Sequence, residues 1–227
     1  MIEAIIINGL ISGGVYALLA VGFSLIFGVA RIINLAHTAF YMLAAYLIFT
    51  FTHYLGLNPL LSVILSIIAV TIIGIFSYKL VIDRVREHET ATLIVTIALA
   101  IIIQEVMLIA FGGEPLGGLS LVSGYTVILG TKVLYQQILT FGVVLVILLG
   151  TWALLMKTKL GIAIRSTAQD REVANLMGIN VAKTGMITMA ISVALAAVAG
   201  ALVAPLAILS PHMWMHPLLM EIGRAHV

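Results

Sequence analysis

The chain contains no cysteine. Disulfides and thiolate metal centres are therefore excluded, and cysteine usage leaves the redox compartment open. Charge is scarce too: Asp, Glu, Lys and Arg make up 9% of the 227 residues, against about 25% in soluble globular domains. The net charge of +2 is too small to argue for a nucleic-acid partner. The N-terminal stretch MIEAIIINGLISGG has no basic region ahead of its apolar run, so no cleavable signal peptide is expected. Nothing resembles a nucleophile, base and orienter, so no catalytic residue and no enzyme activity are expected. No cofactor is called for.

What remains is apolar. Hydrophobic residues are 63% of the chain and the mean hydropathy is +1.24, which places it in a bilayer as an all-α, polytopic transmembrane helix bundle. A helix needs about 20 apolar residues to cross about 30 Å of hydrocarbon. Six runs of that size are expected, at Ile5–Gly28, Ala36–Leu55, Leu60–Ile82, Thr92–Phe111, Gln136–Met156 and Thr184–Leu209. Asn58-Pro59 marks the turn between the second and third, with Pro59 suited to the first position of a helix. Arg31, Lys79, Arg84, Arg86, Lys157, Lys159, Arg165, Arg171 and Lys183 then fall on one side, and Lys132 on the other. The excess of Lys and Arg marks the cytoplasmic side, so the N-terminus is expected outside and the loop 157–183 inside. The 113–135 loop is expected as an outer surface loop; its glycines lack the Gly-Lys-Ser/Thr ending of a phosphate loop. Gly9 and Gly13, and Ala196, Gly200 and Ala204, recur every four residues, the spacing that lets membrane helices approach closely. Pro205 is expected inside the sixth run, near its outer end.

The one long polar stretch is Lys157 to Lys183. Within it, Thr167 is a candidate N-cap with Asp170 three residues on, and Gly178 suits a left-handed exit. A helix of roughly ten residues, about 15 Å, is expected. Val173, Leu176 and Met177 form an apolar stripe flanked by Asp170, Arg171 and Asn175. So short a helix is marginal alone. It lies either on its own bundle or the lipid surface, or in a groove of a cytoplasmic partner.

The run Glu172-Val173-Ala174-x-x-x-Gly178 resembles the EAA-x-x-x-G loop of bacterial ABC importer permeases. Leu160-Gly161-x-x-x-Arg165-Ser166-Thr167-Ala168-Gln169-Asp170, continuing through Met177-Gly178-Ile179-Asn180, is similar to the branched-chain amino acid permease family of the LivH type. So are Ile33-Asn34-Leu35-Ala36-His37, followed here by Thr38 where the family has glycine, and Thr96-Ile97-Ala98. The likeness covers nearly all of residues 1–215. It implies a multi-pass subunit of the bacterial inner membrane, working with a second permease subunit, two cytoplasmic ATP-binding subunits and a solute-binding protein outside. It also implies that 157–183 is a coupling loop in which Asp170, Arg171, Glu172, Val173, Ala174, Leu176, Met177 and Gly178 meet the ATP-binding subunit. Relatives carrying urea, amides or other amino acids share the pattern, so substrate is open. From the residues alone, a carrier driven by an ion gradient and a non-transporting scaffold also stay open.

Four polar residues are candidates for a translocation path: Asn34 and His37 after the first run, and Gln104 and Glu105 in the fourth. An acid within a membrane span points to function by default, yet Glu105 is only about seven residues, roughly 10 Å, from the outer end. It faces a water-filled path or pairs with a neighbouring helix. His212 and His216 stand at i, i+4, but Pro211 and Pro217 bracket them and no metal site is expected. Met213, Trp214 and Met215 suit membrane-interface anchors. The last seven residues, Glu221 to Val227, read like a translated sequencing adapter and break the family pattern. The permease domain is therefore expected to occupy 1–220, incomplete at its C-terminal end.

Overall fold

A computed structural model describes residues 2–85, 88–117, 122, 124–128 and 131–219. The adapter-like residues 221–227 and Arg86 lie outside the described residues. The elements in chain order are α1 (Ile2–Ala30), α2 (His37–His53), α3 (Pro59–Ser77), a π turn (Tyr78–Ile82), α4 (Asp83–Val85), α5 (Glu89–Phe111), β1 (Tyr125–Ile128), β2 (Thr131–Leu134), α6 (Tyr135–Lys157), α7 (Lys159–Gln169), α8 (Arg171–Leu176) and α9 (Val181–Val203). The bundle is helical and polytopic, as expected. Among the described residues five helices are long and apolar enough to cross a membrane: α1, the rod Pro59–Val85, α5, α6 and α9. The second expected run, Ala36–Leu55, forms α2, whose 17 residues give about 26 Å, at the short end of the spanning range.

Local chemistry sets several boundaries. Asn58 caps α3, its side chain accepting from the Leu60 amide at 2.9 Å, and Pro59 stands at the first position, where its missing N–H has no intrahelical partner to lose. The rod then widens through the π turn. α9 stops at Val203, so Pro205 lies beyond that helix and not inside the sixth run as expected; lacking an N–H, it cannot continue the ladder.

α9 is the central element. It touches α1, α2, α3, α7 and α8, and 61% of its most apolar window is buried, against 17% for α6. α2 is enclosed by α1, α3, α5 and α9, with every residue from His37 to Phe49 buried except Leu47. Lipid offers no hydrophobic gain to helix association, so close backbone approach has to supply it. Gly200 provides that approach: a β-carbon there would collide with the Tyr41 carbonyl oxygen of α2. Ala196 and Ala204 on the same stripe are buried. Gly9 and Gly13 differ, being exposed with open space about them, so this pair does not pack within the chain. Some polar side chains in the bundle bond to backbone carbonyls, which need no water to be satisfied: Ser66 Oγ donates across to the Ala44 carbonyl at 2.8 Å, and Thr188 Oγ1 to that of Thr184 at 2.8 Å.

Within the 113–135 loop the described residues include two strands. Tyr125–Ile128 pairs antiparallel with Thr131–Leu134, a small hairpin built from β-branched and aromatic residues that favour strands. At the same end of the bundle Gln137 Nε2 donates to Asn8 Oδ1 at 3.0 Å, and Leu116 and Leu209 exchange backbone hydrogen bonds at 3.0 and 2.7 Å.

Gly200→Ala is expected to lower stability by about 1–3 kcal/mol, the usual cost of overpacking, although alanine is the better helix former. Gly9→Ala, with space for its methyl, leaves stability unchanged or slightly higher. Thermal unfolding of the purified protein in detergent checks both.

Candidate functional site

The polar stretch folds as two helices. Asp170 closes α7, its amide donating to the Ser166 carbonyl at 3.0 Å, and opens α8, its Oδ1 accepting from the amides of Glu172 at 2.9 Å and Val173 at 3.0 Å. Thr167 is therefore not the cap; it is buried inside α7. A carboxylate accepts these first-turn amides with charge assistance that a hydroxyl lacks. α8 is thus six residues long, about 9 Å, rather than ten. At its other end Gly178 takes φ +85 in the left-handed region, as its place after the helix suggested. Its amide donates to Asn175 and that of Ile179 to Ala174, each at 3.0 Å, the paired bonds of a Schellman exit.

α8 presents two faces. Ala174 is buried. Val173, Leu176 and Met177 are 53%, 85% and 78% exposed, so the apolar stripe is not covered by the chain's own bundle. On one flank lies a cleft of about 580 Å³ lined by Arg171, Glu172, Asn175, Gly178, Ile179 and Asn180. On the other lies a second of about 580 Å³ lined by Ser166, Gln169, Asp170, Val173 and Met177. One contact ties this helix to a spanning one: Arg171 Nη1 donates to the Ala30 carbonyl at 3.2 Å. Ala30 is the last residue of α1, and Arg31 beyond it takes φ +53. The guanidinium thus answers a carbonyl at the negative end of the α1 dipole.

The four membrane-path candidates separate into two pairs. Asn34 and His37 are fully buried where α1 gives way to α2. Asn34 Oδ1 accepts from the Ala36 amide at 3.2 Å, Asn34 Nδ2 meets Met189 Sδ at 3.8 Å, and His37 Nδ1 lies 3.2 Å from Ser192 Oγ. Both therefore join the break after α1 to α9. Thr96 Oγ1 reaches the Ile33 carbonyl at 3.4 Å and brings in α5. Gln104 and Glu105 lie eight to nine residues further along α5, about 12–13 Å from Thr96. Gln104 is buried; its Oε1 accepts from Trp214 Nε1 at 2.8 Å, and its Nε2 donates to Glu105 Oε1 at 3.3 Å. Glu105 itself is exposed. An ionised carboxylate facing lipid costs about 2.5–3.5 kcal/mol on insertion scales.

Trp214, expected as an interface anchor, is instead buried within the protein and does not present its ring to lipid. A buried indole N–H takes a partner when one is in reach, and Gln104 provides it. Met189, Ser192 and Trp214 were not among the sequence-derived site residues; only their partners were. His212 and His216 are exposed, and among the described residues no group of three His, Cys, Asp or Glu side chains could hold a metal.

Residues 5–213 match the family described as the branched-chain amino acid transport system / permease component. The chain belongs to that family. It is similar to the high-affinity branched-chain amino acid transport system permease protein BraD of Pseudomonas aeruginosa, 30% identical over 87% of this chain and 69% of that protein. It is also similar to the probable branched-chain amino acid transport permease protein LivH of Methanocaldococcus jannaschii, 29% identical over 88% of this chain and 66% of that one. A third relative is the high-affinity branched-chain permease protein LivH of Escherichia coli K12, 27% identical over 86% and 68%. The matched region thus spans about two thirds of each relative's length. No solved structure matches. These relatives are transport permeases, and the five spanning helices make this permease a multi-pass membrane protein.

Asp170→Ala removes the acceptor that holds the first turn of α8, a loss of about 0.5–2 kcal/mol for a cap of this kind. Faster amide hydrogen exchange at Glu172 and Val173, with α9 exchange unchanged, is the expected outcome.

Proposed function

We propose that this permease is the membrane subunit of an ATP-driven importer of branched-chain amino acids, with α8 as its coupling helix. The observation that carries this is the outward apolar stripe Val173, Leu176 and Met177, on a helix whose base is joined by Arg171 to the end of α1. A partner groove that takes up the stripe moves Arg171 with it and pulls on the α1 terminus. Asp170, Arg171, Glu172, Val173, Ala174, Leu176, Met177 and Gly178 thus divide into contact, anchor and frame: Ala174 lets α8 lie close to its support, Gly178 turns the chain sharply into α9, and Glu172 offers a charge at the contact.

In this reading the end bearing α7 and α8 faces the cytoplasm and the N-terminus faces outside, with the permease in the bacterial inner membrane. Two ATP-binding subunits dock there, a second permease subunit completes the pore, and a solute-binding protein delivers cargo from the other side. Hydrolysis belongs to the ATP-binding subunits. The names of the relatives, which are branched-chain amino acid permeases, support the substrate class. Asn34 and His37, in the break after α1, stand where movement of the α1 end reaches the α2 and α9 core.

The test is uptake of labelled leucine by vesicles holding the assembled complex with its binding protein. ATP-dependent accumulation is expected. Gly178→Pro or Glu172→Lys is expected to lower it about tenfold, equivalent to about 1.4 kcal/mol, with membrane insertion intact. Arg171→Gln is expected to keep the ATP-binding subunits attached while lowering uptake per ATP hydrolysed. Normal transport in all three variants contradicts the coupling role.

A further inference from the structure

We propose that Glu105 is a recognition residue for the α-ammonium group of the transported amino acid, oriented by the chain Trp214–Gln104–Glu105; the inference rests on the importer reading. The geometry is directional. The buried Trp214 indole donates to Gln104 Oε1 at 2.8 Å, which turns the Gln104 amide nitrogen toward Glu105 Oε1 at 3.3 Å. One carboxylate oxygen is thereby held from behind while the side chain stays exposed. A hydrogen-bonded pair reaching from a buried indole to an outward carboxylate is a preorganised acceptor, the arrangement that fixes a cationic donor.

The surroundings supply the rest of the ligand chemistry. Glu105 is six residues before the Phe111 end of α5, about 9 Å deep, and the exposed residues around it are Ile101, Ile102, Val106 and Ile109. An acid on so apolar a face is tolerated where it meets water or a partner charge rather than lipid. A carboxylate set among branched alkyl side chains suits a small zwitterion with a branched alkyl side chain, its ammonium on Glu105 and its hydrocarbon on the isoleucines. The α5 face therefore lines the outer part of the path, where the second permease subunit closes it off from lipid.

Because the chain has no cysteine, Glu105→Cys introduces a single reporter thiol. In the assembled importer in vesicles, this thiol is expected to react with a water-soluble, charged thiol reagent, and leucine supplied with the binding protein and ATP slows the reaction. In parallel, Glu105→Gln is expected to lower ATP-dependent leucine uptake about tenfold with unchanged subunit composition, while Glu105→Asp retains most of it. Trp214→Phe, which removes only the N–H, falls between. Wild-type uptake in Glu105→Gln overturns the assignment, as does a thiol at 105 that the charged reagent cannot reach. Loss of the second permease subunit from the Glu105→Gln complex also overturns it, by making Glu105 an interface residue instead. If the wild-type complex itself shows no ATP-dependent uptake, the importer reading fails, independently of Glu105.

Discussion

The close approach of α9 to α2 is the contact on which the rest of the molecule depends. In hydrocarbon, apolar side chains gain nothing by leaving lipid for protein, so association rests on backbone proximity and on polar groups that need partners. Gly200 lies against the Tyr41 carbonyl with no room for a methyl, and the alanines around it keep the seam thin. With α9 seated there, α1, α2 and α3 pack about it, and the turn at Gly178 carries the chain from α9 back to α8. The position of α8 is therefore inherited from the packing of a membrane helix.

α8 is too short to hold itself. It is framed by Asp170 at one end and Gly178 at the other, rests on Ala174, and is joined to α1 by Arg171 at the Ala30 carbonyl. Each of these serves the helix and leaves its apolar stripe free. The same economy is seen deeper in the bundle, where His37, Ser192, Asn34 and Met189 join the break after α1 to α9. The end of α1 thus touches both the surface helix and the buried core.

Much of this was legible in the sequence. Long apolar runs bounded by Asn-Pro or charged breaks have few solutions in a bilayer, so α1, the α3 rod, α5, α6 and α9 fall close to their expected ranges. Gly178 and Pro59 were readable because their backbone preferences are intrinsic. The start of α8 was not: Thr167 and Asp170 are both good caps, and only the burial of Thr167 in α7 separates them. Gly9 and Gly13 carry the same spacing as the α9 stripe yet face outward, since spacing reports what a face permits and not what covers it. The Trp214–Gln104 bond joins residues 110 positions apart, beyond the reach of any local pattern. α2 shows the converse: enclosed on all sides, it is shorter than its apolar run suggested.

The central claim is that the stripe on α8 belongs to another subunit. A photoactivatable crosslinker on Leu176→Cys, in an otherwise cysteine-free chain within the assembled complex, tests it most directly. The crosslink is expected to join the chain to the ATP-binding subunit, and to be lost when that subunit is stripped away. Crosslinks that go instead to lipid or back to the chain's own helices, with the ATP-binding subunit bound, would contradict it.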